Sequence, residues 1–192
     1  MKWTEQTIGR ALCRQTCNRS ALVLVPNCNW TGYECDVLIV EKGLRVIDVE
    51  VKISRADLKA DAKKDKWWHR EFKGYGPETE DLDATGRLIR RRWNPIYEVT
   101  ARPWPPKVWK HYYAMPKAIW SPELIDCVPA NSGILLLSEP QAMDRVEVVV
   151  RVIRPPKPNR DADKLAPAAV LDIARLANLR MWEAYGKLEA GR

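Results

Sequence analysis

The chain has 192 residues, enough for one sizeable hydrophobic core, and we expect a single domain over residues 1–192. Hydrophobic residues make up 46% and charged residues 30%, a composition that excludes disordered and fibrous proteins and is typical of a globular domain. Lys and Arg number 32 against 25 Asp and Glu, and the resulting net charge of +7 favours a polyanionic partner, nucleic acid first.

The cysteines and the hydropathy pattern indicate a cytoplasmic protein, of a bacterium or of a phage-infected host cell. The chain has five cysteines, an odd number, and no secretory signal precedes them, which is typical of reduced thiols. No apolar run approaches the ~20 residues that cross a bilayer, so we expect no membrane partner.

The hydrophobic periodicity predicts helices alternating with strands, which is an α/β domain with a mixed sheet flanked by helices. In chain order we predict a helix over 4–17, strands over 21–25, 34–40 and 44–53, a helix over 54–68, a strand over 111–115, a short helix after Ser121, strands over 133–139 and 146–153, and a helix over about 167–188.

Residues 71–110 interrupt this pattern. They contain several Pro and Gly, the basic cluster RLIRRRW and the segment RPWPPKVWK. Little periodicity survives here, so we predict an inserted loop region with at most one strand, at Ile96–Thr100. The core then consists of residues 1–70 and 111–158.

The most informative stretch is VIDVEVKI, residues 46–53. Its odd positions are apolar and β-branched, so they are expected to face the core. Its even positions Asp48, Glu50 and Lys52 share the opposite face. A core strand therefore has a charged side, on which two acids and one base follow each other.

The register of the preceding strand decides whether more carboxylates join this face. A three-residue loop, Glu41-Lys42-Gly43, with Gly43 in the left-handed conformation would place Asp36 opposite Asp48 and Glu34 opposite Glu50. A two-residue loop would turn these charges toward the core. We therefore predict the odd-numbered loop.

Carboxylates crowded on one face repel each other, and a divalent cation removes that repulsion. Mg²⁺ prefers oxygen ligands and is commonly held by one or two carboxylates together with phosphate oxygens. A cation of this kind activates water and offsets charge on a phosphate, which would make this face a hydrolytic site. The residues alone leave a second interpretation open, namely a solvated edge hairpin in which Lys52 pairs with Glu34 or Glu50.

The runs GYECDVLIV and VIDVEVKISRADLKAD, followed by a Lys-rich segment, resemble the PD-(D/E)XK nuclease superfamily, in particular its MmcB-like DNA-repair branch and related phage proteins. The YYAMP and GILLLSE strands and the RPP after the last strand are similar to that branch as well. The resemblance covers residues 1–70 and 111–158. It implies a restriction-endonuclease-like αβββαβ core.

The resemblance also implies roles for individual residues. Asp36 and Glu50 would be the metal ligands for Mg²⁺ (or Mn²⁺), Lys52 the catalytic lysine, and the backbone carbonyl of Val51 a further ligand. Glu5 on the first helix would match an acidic residue that many members place there. Glu34 is a rival to Asp36, because both are expected on the same face.

Several basic residues are candidates for contacts with nucleic acid. Arg and aromatic side chains together suit a phosphate backbone and an unstacked base, and Trp93 follows the densest basic cluster. The candidates are Arg55, Lys64, Arg90, Arg91 and Arg92.

We therefore predict a Mg²⁺-dependent deoxyribonuclease that hydrolyses phosphodiester bonds in DNA repair, recombination or phage DNA metabolism. The alternative is a catalytically inactive nuclease fold that serves as a DNA-binding or repair-accessory protein. A third interpretation is a structural protein with a charged hairpin of no catalytic use. The expected partner is DNA, and the C-terminal helix offers either a packing surface or a homodimer surface.

Overall fold

The computed structural model describes residues 2–17, 20–141 and 146–191. Its regular elements, in chain order, are α1 (Glu5–Ala11), a π-helical turn (Leu12–Cys17), β1 (Ala21–Cys28), β2 (Cys35–Glu41), β3 (Val46–Val51), α2 (Arg55–Asp61), β4 (Trp68–Leu82), β5 (Leu88–Ala101), β6 (Lys110–Pro116), β7 (Gly133–Ser138), β8 (Val149–Arg154) and α3 (Pro167–Ala190), with short 3-10 turns at Asp65–Trp67, Lys117–Ile119 and Pro122–Cys127. None of these helices is long and apolar enough to span a membrane.

The chain forms two compact units. The first comprises Met1–Lys63 and Pro103–Arg192, and the second Lys64–Arg102. The first unit contains a six-stranded sheet in the order β1-β2-β3-β6-β7-β8, in which β3, β6 and β7 are parallel and the other neighbours antiparallel. The predicted class, α/β with a mixed sheet flanked by helices, is confirmed.

The two faces of this sheet carry separate hydrophobic clusters. On one face Ile8 and Leu12 of the N-terminal helical segment pack against odd-numbered residues of the β2–β3 hairpin, including Val37 and Val49. On the other face Ile173 of α3 packs with even-numbered residues such as Leu38. The charged residues Asp48 and Glu50 of β3 follow the apolar residues of this cluster and lie next to strand β6.

The β2–β3 turn differs from the predicted one by a single position. Glu41 donates its N–H to Arg45 O, so the three-residue loop is Lys42-Gly43-Leu44, and Leu44 takes the left-handed conformation at φ 60°. Leu44 also packs on the α3 side of the sheet, which explains why a leucine tolerates this conformation. The loop has an odd number of residues, as predicted, but the pairing of β2 with β3 is shifted by two residues from the predicted one.

The corrected register changes which carboxylates meet. Asp48 lies opposite Leu38, where the sequence predicted Asp36. The ladder between β2 and β3 ends at the pair Val37–Val49. The next residues along the two strands are Asp36 and Glu50, so this pair stands where the two strands separate.

Two boundaries differ from the sequence prediction for physical reasons. Helix α2 begins where expected, because the Ser54 side chain accepts a hydrogen bond from the Asp57 N–H. It ends at Asp61 and does not continue to Trp68, so Lys64 is not on a helix. Strand β1 passes through Pro26 to Cys28, which its place at the sheet edge permits.

The second unit corrects the prediction of an inserted loop. Strands β4 and β5, with 15 and 14 residues, form a long antiparallel hairpin of their own, interrupted by three register shifts. The segment is Lys64–Arg102, where the sequence indicated about 71–110. Its Pro and Gly, which predicted a loop, fall within the paired strands, at Gly74, Gly76, Pro77 and Pro95.

Candidate functional site

The charged row of β3 is buried, and the next strand of the sheet covers it with two more polar side chains. Asp48 and Glu50 are each 1% exposed, and Lys52 is 2% exposed. In the parallel pairing with β6, Asp48 lies beside His111 and Glu50 beside Tyr113. His111 and Tyr113 are buried too, and their rings meet edge to face. The fold thus buries five polar side chains at the centre of the sheet.

Lys52 is held by three carboxylates. Its Nζ lies 2.8 Å from Asp61 Oδ1, 3.1 Å from Glu50 Oε2 and 3.6 Å from Asp57 Oδ1. Burial lowers the pKa of Lys52, but these carboxylates outweigh the burial, and the pKa of the ammonium lies above its usual range. Lys52 is therefore a cation at physiological pH. It can donate hydrogen bonds or balance negative charge, and it is not a base.

Asp61 links this ion network to β6. It is completely buried, it receives the hydroxyl hydrogen bond of Tyr113, and it pairs with Lys52 on its other oxygen. Helix α2 places it there because Asp57 and Asp61 are four residues apart and so lie on the same side of the helix. The helix that follows β3 thereby fixes the position of the Lys52 ammonium.

Asp36 lies at the separation of β2 and β3. Its Oδ2 accepts a hydrogen bond of 2.6 Å from the Val51 N–H. Partial burial and the nearby Glu50 carboxylate raise the pKa of Asp36 to about 6, although the Val51 bond and Lys52 act in the other direction. The Glu50 carboxylate is therefore close enough to disfavour the charged form of Asp36.

A cavity of about 270 Å³ opens beside Asp36, and helix α1 forms one of its walls. Its lining includes Glu5, Gln6 and Arg10 of α1. Glu5 also raises the pKa of Asp36, so the predicted accessory acid lies on the open side of that carboxylate. Glu34 precedes β2 and is exposed. Within the described residues we find no ion pair or hydrogen bond between Glu34 and Glu50.

Asp48 and His111 form a second polar pair on the same row. The His111 Nε2 is 3.7 Å from Asp48 Oδ2, while its Nδ1 lies 2.9 Å from the Ser132 hydroxyl. Asp48 also interacts with the Cys35 thiol and, together with burial, raises the pKa of that thiol. The serine fixes the imidazole so that its other nitrogen faces the carboxylates.

Two sets of ligands could hold a divalent cation, and both include Glu50. The set predicted from the sequence is Asp36, Glu50 and the Val51 carbonyl. The Val51 N–H points toward β2, and in a strand the carbonyl of the same residue points to the same side. All three are oxygen ligands and therefore fit Mg²⁺ or Mn²⁺. The second set is Asp48, Glu50 and His111, whose ligand atoms lie within 4.8 Å of one another.

The predicted nucleic-acid contacts divide between the two units. Arg55 is exposed at the start of α2, and its Nε donates to the Ile119 carbonyl at 2.8 Å. Lys64 and Arg90–Arg92 belong to the second unit and are exposed. Arg91 lies 3.3 Å from Glu80, and Arg92 pairs with Asp81. The arginine cluster is therefore partly neutralised by acids on the facing strand.

Sequence reasoning missed the part of the site that β6 provides. The sequence predicts a structural role for His111, because carboxylates suffice to bind Mg²⁺, and it predicts only a place in a strand for Tyr113. The spacing of His111 and Tyr113, two apart on a strand, does predict that they share a face. What could not be read from the sequence is that β6, separated from β3 by about 60 residues, becomes its parallel neighbour.

Comparison with known proteins adds one structural neighbour. No family model matches the chain, and no curated protein matches it. Among solved structures the chain is similar to the SPO1766 protein of unknown function from Silicibacter pomeroyi, with 18% identity and a TM-score of 0.51. The alignment covers 98% of this chain and 94% of that chain. At this identity the similarity concerns the fold alone.

Proposed function

We propose that this protein is a metal-dependent DNA nuclease that hydrolyses phosphodiester bonds, with a role in DNA repair, recombination or phage DNA metabolism. The observation that carries the proposal is the position of Asp36. Its carboxylate lies where β2 and β3 separate, it bonds the Val51 N–H, and it is electrostatically coupled to Glu50, which contacts Lys52. Within the first unit, which excludes β4 and β5, the order α1-β1-β2-β3-α2-β6 is also compatible with the αβββαβ arrangement of the PD-(D/E)XK nucleases.

In the proposed mechanism Asp36, Glu50 and the Val51 carbonyl would hold Mg²⁺ or Mn²⁺. Such an ion, when bound, would activate water and stabilise negative charge on the phosphate oxygens. Lys52, a cation held by Glu50 and Asp61, orients the attacking water and offsets negative charge at phosphorus. The water oxygen would bond to phosphorus and lose a proton to solvent, one P–O ester bond would break, and the departing oxygen would take up a proton from solvent. Arg55, Lys64 and Arg90–Arg92 are proposed to contact the DNA backbone.

The alternative, a DNA-binding or repair-accessory protein without catalysis, is favoured by one specific observation. Lys52 is only 2% exposed and has a carboxylate on three sides. A lysine so enclosed is also what a purely structural ion cluster requires, because each buried charge needs a partner. Catalysis requires that substrate or metal draw Glu50 away from this cluster.

The test compares Asp36→Asn with Glu34→Gln, which neutralises the exposed rival carboxylate two residues away. Each purified protein is incubated with single-stranded, duplex and branched DNA in Mg²⁺, Mn²⁺ or EDTA. We expect cleavage that requires the metal, falls by about 100-fold or more in Asp36→Asn, and persists in Glu34→Gln. Thermal melting of each variant checks that it is folded.

The same variants separate the competing proposals. Binding of every DNA without cleavage would identify the accessory protein. Cleavage that survives Asp36→Asn would exclude the proposed ligand set. If calorimetric titration then showed that His111→Gln, but not Asp36→Asn, abolishes Mn²⁺ binding, the ion would belong to the set with Asp48 and His111.

A further inference from the structure

The second unit exposes an aromatic face on its hairpin. Because side chains alternate along a strand, one face of β5 presents the odd-numbered residues from Arg91 to Ala101. The β4 residues paired with them join the same face, and the ring contacts of Phe72 with Tyr75 and Tyr97 confirm it. The apolar members, 37 to 68% exposed, are Trp68, Phe72, Tyr75, Trp93, Tyr97 and Val99; we call these six residues the aromatic face.

This face is unusual for a hairpin in water. None of the residues that the structure describes in β4 and β5 is buried. A two-stranded ribbon is marginally stable alone and gains stability when a third layer covers its apolar side. Tyr75 and Trp93 also line an open cleft of about 340 Å³ that an inserted side chain would fill. A contiguous set of exposed aromatic residues of this kind marks an interaction surface.

The charges of the hairpin argue against a polyanion on this face. Residues 68–101 contain six basic side chains and six acidic ones, so their net charge is zero. On the aromatic face itself, Trp93 lies opposite Glu78, and Arg91 is 3.5 Å from Glu78 and 3.3 Å from Glu80. Two carboxylates share one arginine at this point, so this end of the aromatic face has no excess of positive charge to attract a phosphate backbone.

The same charges fit a second copy of the chain. Glu78 and Glu80 outnumber Arg91 at one end of the aromatic face, and Arg70 lies at the other end, where it also pairs with the exposed Asp65 at 2.8 Å. When two copies pack antiparallel about a two-fold axis, Arg70 of each copy faces the acidic end of its partner. An apolar centre with charged ends is also the usual composition of a protein interface.

The area agrees with a stable dimer. Five aromatic side chains of roughly 150–250 Å² each, about half exposed, offer on the order of 500 Å² per copy and about 1,000 Å² per pair, the size at which specific interfaces begin. Val99 and the charged ends add to this area. We infer that the protein forms a homodimer in which the aromatic faces of two β4–β5 hairpins pack against each other.

The test uses two neighbouring residues that lie on opposite faces of β5. Tyr97→Lys places a charge in the aromatic face, while Ile96→Lys places the same charge on the other face at a similarly exposed position. Sedimentation equilibrium over a wide concentration series measures the dimer dissociation constant of each full-length protein. We expect a wild-type dimer, a dissociation constant raised at least about 30-fold by Tyr97→Lys, and little change with Ile96→Lys.

Three results would overturn the inference. The wild type could be monomeric at every concentration, Tyr97→Lys could leave the dimer dissociation constant unchanged, or both variants could raise that constant equally. Quenching of tryptophan fluorescence by an oligothymidylate in a monomeric wild type would assign the face to single-stranded DNA instead. Circular dichroism of each variant confirms folding, and cleavage assays are not involved, so the outcome is independent of the proposed nuclease activity.

Discussion

At the scale of the residue, Asp36 is a carboxylate whose charged form is disfavoured by its surroundings. Its folded pKa of about 6 lies above the 3.8 of an ordinary aspartate because of burial first and then Glu50. The folded chain therefore keeps a proton that the unfolded chain has already lost, so this group's contribution to stability is lost as the pH rises from about 4 to about 6. Above that range the repulsion is fully present unless a cation relieves it.

We therefore expect Asp36→Asn to stabilise the metal-free protein, and only at higher pH. Each pKa unit corresponds to about 1.4 kcal/mol, and with solvent screening we expect a gain of about 1–2 kcal/mol above pH 6 that vanishes near pH 4. Denaturant unfolding in EDTA across this pH range measures it. With Mn²⁺ the order reverses, because only the wild type gains binding energy. Parallel stability curves for the two proteins in EDTA would contradict the assignment.

At the scale of the element, the local sequence pattern correctly predicted features that depend only on neighbouring residues. The alternation in residues 46–53 predicted which side of β3 is charged, and Ser54 predicted where α2 begins. The predicted position of the turn before β3 was wrong by one residue. Leu44, which packs on the α3 side of the sheet, takes the left-handed conformation that was expected at Gly43. That one residue decides whether Asp36 meets Asp48 or lies next to Glu50, and no local rule sets it.

The other misses arise from contacts between distant segments. Neighbouring strands that are parallel must be joined by a long connection, so the sequence cannot show that His111 and Tyr113 lie beside Asp48 and Glu50. The β4–β5 hairpin was missed because register shifts accommodate its Gly and Pro, which favour loops elsewhere. In both cases the pairing partner, not the local composition, determines the structure.

The pairing of β6 with β7 supports the site and has a testable requirement for glycine. Gly133 lies beside Tyr112, and a methyl group added there would meet the Tyr112 ring at 2.5 Å. That ring is packed against the core, so Gly133→Ala should cost about 1–3 kcal/mol. Gly186 lies in α3 with nothing within 4 Å, so Gly186→Ala should stabilise the protein by about 0.5–1 kcal/mol. Thermal melting shows whether each variant is less or more stable than the wild type. A Gly133→Ala variant as stable as the wild type would contradict the close packing of Tyr112.

At the scale of the whole molecule, the positive charge is unevenly divided. The second unit, Lys64–Arg102, holds nine basic and seven acidic residues and contributes +2 of the net +7. The first unit, which contains Asp36, Glu50 and Lys52, therefore carries +5. A polyanion would therefore be attracted mainly by the unit that contains the candidate site, and the hairpin would contribute only through particular arginines.

This distribution predicts how DNA binding should depend on salt. Each phosphate neutralised by the protein adds about 0.9 to the slope of log affinity against log salt. If Arg90, Arg91 and Arg92 all contacted phosphates, replacing them by Gln would reduce that slope by nearly three. Since Arg91 and Arg92 are already engaged by Glu80 and Asp81, we expect a reduction of about one. Fluorescence anisotropy with a labelled duplex at several salt concentrations measures both slopes. A reduction near three would mean that DNA displaces the acidic partners and that the hairpin is the principal DNA-binding element.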